Sequence, residues 1–217
     1  ERELMLAGVS HDLRTPLTRL RLALELLNDD AELTDDMVRD IEDMDDILDQ
    51  FLAFIRDGRD EPQEEIDLPD LVREVVAPYN QKQEVVRLCL EPVPQVLLRR
   101  VSIKRLLVNL IENGLRYGGD AVEVAAYVTG DSHSPYIVLS VLDRGVGIDP
   151  TELASITNPF TRGDRARGGK GAGLGLAIVT RIAALHGGSI ELRNRSGGGL
   201  EARVCLPLGL LLPRNAV

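Results

Sequence analysis

The 217-residue sequence has no tryptophan, only two cysteines and 3% aromatic side chains. Cys89 and Cys205 lie far apart among apolar or β-type neighbours, which argues against a disulfide or a cysteine metal site. Buried, unpaired thiols in a reducing compartment are expected instead. Long apolar runs are missing as well. No stretch approaches the roughly 20 apolar residues that span a bilayer, and the tail Leu208 to Leu212 is interrupted by Gly209 and stopped by Pro213. Basic charge is in deficit: 25 Lys and Arg stand against 35 Asp and Glu, a net charge of -10. Such a molecule repels polyanions and lacks the electrostatic footprint of a nucleic-acid binder, so any phosphate it binds must be held by local geometry. An initiator methionine is absent too, and a chain opening on Glu1 reads as part of a longer protein.

What is present is an ordinary globular balance, 44% hydrophobic and 28% charged, in a chain long enough for two small domains. Leu6, Val9, Leu13, Leu17, Leu20, Leu24 and Leu27 recur at alternating three- and four-residue steps and make one stripe on a helix. Asn28, Asp29 and Asp30 supply a turn, and Thr34 can cap the next helix. A second stripe runs through Met37, Ile41, Met44, Leu48, Phe51 and Ile55. Two such helices pack antiparallel but leave apolar surface wet, which dimerisation into a four-helix bundle would cover. The charged stretch Asp57 to Gln63, with Gly58 and Pro62, ends this unit.

Beyond it the pattern changes. Leu68 to Val76, Ser102 to Arg116 and Leu176 to Leu185 have helical spacing. Val85 to Leu90, Val122 to Val128, Ile137 to Leu142, Ile190 to Leu192 and Ala202 to Leu206 read as strands. The strands do not alternate strictly with helices, so a layered sandwich is expected rather than a doubly wound sheet. The expected fold class is α+β: residues 1–60 as a helical hairpin, 61–65 as linker, 66–210 as the α/β unit and 211–217 as tail.

Three histidines differ in setting. His11 falls between the stripe positions Val9 and Leu13 and so points away from the helix-pair core, with Asp12 adjacent, Thr15 one turn onward and Pro16 able to bend the backbone. An exposed imidazole beside a carboxylate can act as a nucleophile. His133 sits in a polar turn. His186 precedes Gly187 and Gly188 at a helix end, where the dipole favours it.

The later unit carries a second constellation. Asn109 and Asn113 are four apart, hence on one helical face, and their amide oxygens suit a hard cation such as Mg²⁺. Arg116 and Tyr117 follow, suited to a phosphate and a base ring. Asp143, Gly145 and Gly147 stand at a strand end, where an acid can accept a hydrogen bond from an exocyclic amine and glycines let a planar ligand approach. Gly168, Gly169, Gly171, Gly173 and Gly175 precede a helix and offer backbone N–H groups to phosphate, without the Gly-Lys-Ser/Thr of a P-loop. Arg162, Arg165, Arg167 and Lys170 could close over a triphosphate.

Ser10-His11-Asp12-Leu13-Arg14-Thr15-Pro16-Leu17 resembles the phosphoacceptor box of sensor histidine kinases. Asn109 to Tyr117 is similar to their asparagine box, and Asp143-Arg144-Gly145-Val146-Gly147 to their first glycine box. Phe160 with Arg162 and Gly163 resembles the phenylalanine segment, and Gly171-Ala172-Gly173-Leu174-Gly175-Leu176 the second glycine box. Five motifs in the family's order cover nearly the whole chain. Within the family the wording of three segments, including Ser102-Ile103-Lys104-Arg105 and Phe160-Thr161-Arg162-Gly163-Asp164, is most similar to osmosensors of the EnvZ type.

The resemblance implies an ATP-binding sandwich of the gyrase, Hsp90 and histidine kinase type behind a dimeric four-helix phosphotransfer bundle. It implies that His11 is phosphorylated, that Asp12 assists proton movement and that Thr15 orients water when a partner is dephosphorylated. By the same implication Asn113 ligates Mg²⁺, Asn109 and Arg116 approach the phosphates of ATP, Asp143 recognises adenine, and the glycine boxes with Phe160, Arg162 and Lys170 shape pocket and lid. The implied partners are a second copy of the chain and the receiver domain of a response regulator, OmpR-like, with neither nucleic acid nor direct membrane contact for this segment. The implied location is the cytoplasmic portion of an inner-membrane sensor. Gly114 replaces the usual Ala after the metal Asn, lowering helix propensity by up to ~1 kcal/mol, and Ala172 replaces a usual Thr or Ser. Both changes are expected to weaken ATP binding. Two other readings compete: a gyrase-like ATPase, for which Glu112 lies beside Asn113 rather than one turn before it, and a scaffold with a vestigial nucleotide site.

Overall fold

The computed structural model describes residues 17, 18, 20, 24, 37, 38, 41, 42, 44, 45, 47, 48, 50–52, 54, 58–119, 121–131, 134–161 and 173–211. All described positions from 17 to 54 are helical, in keeping with the two stripes. Their apolar side chains are only partly covered within one chain: Ile41 is buried, whereas the stripe residues Leu20, Met37 and Met44 and the neighbouring Ile47 are exposed.

The α/β unit opens with β1 (Glu64–Ile66), which pairs antiparallel with β3 (Val96–Leu98). Helix α1 (Leu68–Val76) starts where Asp67 accepts the Asp70 N–H at 3.0 Å, with Pro69 in the first turn where a missing N–H is harmless. The five-stranded sheet runs β2 (Val86–Leu90), β4 (Val122–Asp131), β5 (Ser134–Leu142), β7 (Leu200–Pro207), β6 (Ser189–Asn194), with only β2 and β4 parallel. Helices α2 (Arg100–Gly118) and α3 (Gly175–Leu185) lie against the sheet and each other, and the short α4 (Leu208–Leu211) follows β7. Every second strand residue faces them: Val122, Val124 and Ala126 on β4, Ile137, Leu139 and Val141 on β5, and Ala202, Val204 and Leu206 on β7. They close a core with Leu106, Leu107, Leu110 and Ile111 of α2 and Ile178, Val179 and Ile182 of α3.

The strands and helices expected beyond residue 60 are all found, most of them longer than their apolar signal. Strands β1 and β3 and helix α4, each of three or four residues, are too short to show a period. Both cysteines are free, but neither is buried as expected: Cys205 is half-buried and Cys89 is exposed. It lies on the outward face of β2, an edge strand of the sheet, where alternation and not hydrophobicity decides burial.

Two long-range contacts fix the start of α2. Its N-cap residue Arg99 makes no side-chain cap, and Glu61 takes that role: its carboxylate accepts the N–H groups of Val101 (2.5 Å) and Ser102 (3.0 Å) and the Ser102 hydroxyl (2.6 Å). The segment before it docks beside α3, where Arg181 donates to the Phe54 carbonyl at 2.6 Å and lies over the Phe54 ring.

His186 does end α3, but its job differs from the dipole-favoured cation expected. It is buried, its Nδ1 lies 2.9 Å from the Ile182 carbonyl, and its Nε2 accepts the Arg99 N–H at 3.1 Å. Only a neutral ring with its proton on Nδ1 satisfies both. Burial, foremost, holds its pKa below the ordinary value. The folded protein therefore resists protonation while the unfolded chain accepts a proton below about pH 6.5. Stability from this residue is complete above that pH and is lost as pH falls through it toward the lower folded value. Denaturant midpoints at pH 7.5 and 5.5 should differ in that direction, and by less in the His186→Gln protein.

Candidate functional site

The C-terminal half of α2 brings the asparagine pair to the start of α3. Asn109 is anchored by its own Nδ2, which donates to the Arg105 carbonyl at 2.8 Å, leaving Oδ1 to face α3. A Cβ placed on Gly175, the first residue of α3, would lie 3.1 Å from Asn109 Oδ1 and 3.4 Å from Asn113 Nδ2. The two amides and the helix N-terminus thus share one small space, and among the described residues no side chain caps the first turn of α3. Leu174 is fully buried at the N-cap and Leu176 packs against the core, so the helix start is held by apolar anchors while its N–H groups stay available. Arg116 and Tyr117 are exposed in the last turn of α2.

The same end of α2 is pressed onto the loop after β5. Asp143 is buried, and its Oδ1 accepts the N–H groups of Gly145 (2.8 Å) and Leu200 (3.0 Å). Among the described residues both bonds to this carboxylate fall on Oδ1, which leaves Oδ2 for another donor. A Cβ on Gly118 would come within 2.1 Å of Asp143 Cβ, and one on Gly145 within 2.3 Å of the Tyr117 carbonyl oxygen. Neither glycine can be replaced without parting α2 from this loop. Gly147 has φ +73° and sits against Asn194, while Val146 between them is 74% exposed.

Phe160, also exposed, has φ +62°, an outlier for a bulky residue. Its N–H donates to the Gly173 carbonyl at 3.1 Å, joining the two flanks of residues 162–172. Arg162, Lys170 and Gly171 lie outside the described residues, as do His11, Asp12 and Thr15.

Of the site residues expected from sequence, the fold therefore gathers Asn109, Asn113, Arg116, Tyr117, Asp143, Gly145, Gly147, Gly173, Leu174, Gly175 and Leu176 around the end of α2 and the start of α3, with Phe160 joined to Gly173. Glu112, the acid an ATPase would need, is exposed and its charge acts on Tyr79, whose hydroxyl is pushed up mainly by burial. It faces away from the Asn109 and Asn113 side of the helix. Among the described residues no group of three or more His, Cys, Asp or Glu could hold a metal. An open cavity of about 390 Å³ between α3, β6 and residues 153–157 has no charged side chain in its lining and so no cation to offset a triphosphate.

Residues 99–210 match the family of histidine kinase-, DNA gyrase B-, and HSP90-like ATPases, and residues 1–59 match the His Kinase A (phospho-acceptor) domain. The chain belongs to the sensor histidine kinases. Over 214 residues it is 36% identical to the sensor histidine kinase GtrS of Pseudomonas aeruginosa, covering 97% of this chain and 43% of GtrS. The histidine kinase domain of the E. coli osmosensor EnvZ is 34% identical, with a TM-score of 0.54 over 74% of this chain and 98% of that domain. Full-length ShkA, solved with AMPPNP, shares the fold at 24% identity and a TM-score of 0.72, over 98% of this chain and 46% of ShkA. The chain spans about half the length of the curated relatives it matches. In this histidine kinase, then, a helical phosphoacceptor unit precedes an α/β sandwich of the gyrase and Hsp90 type.

Gly114 departs from the alanine expected in the asparagine box for a packing reason. A Cβ there would lie 2.6 Å from Val122 Cγ1, a branched side chain with little freedom to move. The glycine lets α2 settle closely onto β4 beside Val122, a packing reason separate from any effect of the substitution on ATP binding. Gly114→Ala should lower stability by about 1–3 kcal/mol, despite its better helix propensity. Adding Val122→Ala should cost less than the sum of the single changes by more than about 0.5 kcal/mol, as denaturation of the four proteins of the cycle would show.

Proposed function

We propose that this chain is the catalytic core of a membrane-anchored sensor kinase that phosphorylates itself on His11 at the expense of ATP, passes the phosphoryl group to an aspartate of a response regulator of OmpR type, and removes it again. The observation that carries the reading is the convergence of the Asn109 and Asn113 amides on the uncapped start of α3, with Asp143 at the other side of the α2 end. Amide oxygens, free N–H donors and an acid with one unused oxygen form a donor set that fits a magnesium-bound adenine nucleotide. Bound there, ATP and Mg²⁺ supply the phosphoryl group and neutralise its charge. No helix among the described residues is long and apolar enough to cross a membrane, and the membrane anchor is assigned to the part of the protein outside this chain.

In this reading Asn113 holds the cation, while Asn109, Arg116 and the N–H groups of Gly173 to Leu176 hold phosphate oxygens. Asp143 Oδ2 accepts the exocyclic amine of the base. Gly145 and Gly147 keep the wall beside it thin, and Tyr117 flanks the ring. Phe160, Arg162, Lys170 and Gly171 belong to the lid. Phosphoryl transfer asks for positioning and charge neutralisation rather than covalent help, so no carboxylate beside the phosphates is required. A ring nitrogen of His11 takes the phosphoryl group as its bond to the bridging oxygen breaks, and Asp12 accepts or orients the ring proton. Thr15, one turn along, orients water for the reverse duty toward the regulator. Residues 61–65, expected as the linker, are tied to the α/β unit by Glu61 at the start of α2 and by Glu64 and Glu65 in β1, so the movement that brings the nucleotide site to His11 and withdraws it is assigned to the chain ahead of Glu61. The exposed Leu20, Met37, Met44 and Ile47 support a second copy completing a four-helix bundle.

Incubation with γ-labelled ATP and Mg²⁺ should give an acid-labile, alkali-stable phosphoprotein, absent from His11→Gln and from samples without divalent cation. Label that persists in His11→Gln would overturn the acceptor assignment, and rapid phosphate release without phosphoprotein would favour an ATPase. Asp143→Asn should weaken ATP binding by about tenfold or more, since a hydrogen bond to a charged group is worth roughly 1.5–3 kcal/mol.

A further inference from the structure

The turn between β6 and β7 holds the Asp143 loop from the side opposite α2, and none of its residues was implied by any motif. Asn194 acts as a surrogate peptide: its Nδ2 donates to the Ile148 carbonyl at 2.6 Å and its Oδ1 accepts the Ile148 N–H at 2.9 Å. Arg195 Nη1 donates to the Asp143 carbonyl at 2.5 Å. Asp143 and Leu200 exchange two bonds, N–H of Asp143 to the Leu200 carbonyl (2.9 Å) and N–H of Leu200 to Asp143 Oδ1 (3.0 Å). The turn that brings these groups together closes on itself, with the Arg195 N–H on the Gly199 carbonyl at 2.9 Å. Its three glycines all have positive φ, and a Cβ on Gly199 would stand 2.1 Å from the Asp143 carbonyl oxygen. The loop is thus gripped at both ends, residue 143 by Arg195 and Leu200 and residue 148 by Asn194.

We infer that Arg195 and Asn194 are positioning residues for nucleotide selection: they clamp the Asp143 loop so that the free carboxylate oxygen is held where only a base with an exocyclic amine can use it. This rests on the reading of Asp143 as the adenine contact. The chemical logic is that a carboxylate selects by hydrogen bonding only when its position is fixed, because a mobile one can turn away from a base that offers a carbonyl in place of an amine. Arg195 fixes the main chain at residue 143, Leu200 fixes Oδ1, and the torsions of the side chain follow. Neither Arg195 nor Asn194 touches the nucleotide in this arrangement, so their effect is transmitted entirely through Asp143.

The test compares ATP with inosine triphosphate, which carries a carbonyl where adenine carries its amine, binding each to the whole 217-residue chain by titration calorimetry. Asp143→Asn should lose most of the preference for ATP. Arg195→Ala should weaken ATP about 5- to 30-fold while changing inosine triphosphate little, Arg195→Lys should recover part of the loss, and Arg195→Ala should add little to Asp143→Asn in the double variant. Asn194→Ala should act in the same direction and serves where Arg195→Ala does not fold, as its melting curve would reveal. An unchanged preference in folded Arg195→Ala or Asn194→Ala, beside a lost preference in Asp143→Asn, overturns the clamp and leaves the Asp143 assignment standing. An equal loss for both nucleotides also overturns it, because a general structural defect does not discriminate between bases. Unchanged preference in Asp143→Asn itself overturns the base contact and the clamp together.

Discussion

Asp143 sits where four pieces of backbone meet: the end of β5, the end of α2, its own glycine loop and the β6–β7 turn. The approaches are too close for any Cβ. Gly118, Gly145 and Gly199 would each put an added carbon within 2.3 Å of a neighbouring atom, two of those neighbours belonging to Asp143 itself. Buried backbone of this kind must be hydrogen-bonded throughout, and the carboxylate Oδ1 supplies two of the bonds. The acid is therefore a structural keystone as well as the proposed base contact. The two roles use different oxygens.

From that junction the rest of the site follows. α2 is held against the sheet at one end by Gly118 on Asp143, one turn earlier by Gly114 on Val122, and at its start by Glu61 and by the His186 bond to Arg99. A helix pinned at three levels has no freedom to rotate, so the face bearing Asn109 and Asn113 is fixed toward α3. The start of α3 is fixed in turn by buried Leu174 and by Phe160 bonding to Gly173. Polar groups for a charged ligand are thus carried on elements whose positions are set by apolar and backbone packing, which is what preorganised electrostatic stabilisation requires.

Periodicity made the large elements legible. The three- and four-residue steps of α1, α2 and α3 and the alternation in β4, β5 and β7 follow from burying one face of each, so their sequences had to record it. The asparagine pair and the Asp143 glycines stood out in the sequence as a candidate site because ligand chemistry constrains residue type more strongly than folding does. Less was legible where a residue's role depends on distant chain. Cys89 looked like a core thiol but lies on the outer face of an edge strand. His186 looked like a helix-end cation but is a buried neutral acceptor. Gly114 reads in the sequence as a loss of helix propensity, whereas in the fold Val122 stands where its Cβ would be.

The turn at Asn194 to Leu200 marks the division most clearly. Three consecutive glycines after Asn, Arg and Ser announce a tight turn between two strands, because only glycine takes positive φ without strain. Sequence by itself determined that a turn is there, as it determined the two units, the layered α/β class and the identity of the polar residues. Only the tertiary structure decided that this turn grips a loop about fifty residues earlier. The reason is physical: local conformation is set by steric preferences within a few residues, whereas the partner of Arg195 is chosen by strand order, which places β7 beside β5 and brings Leu200 to Asp143.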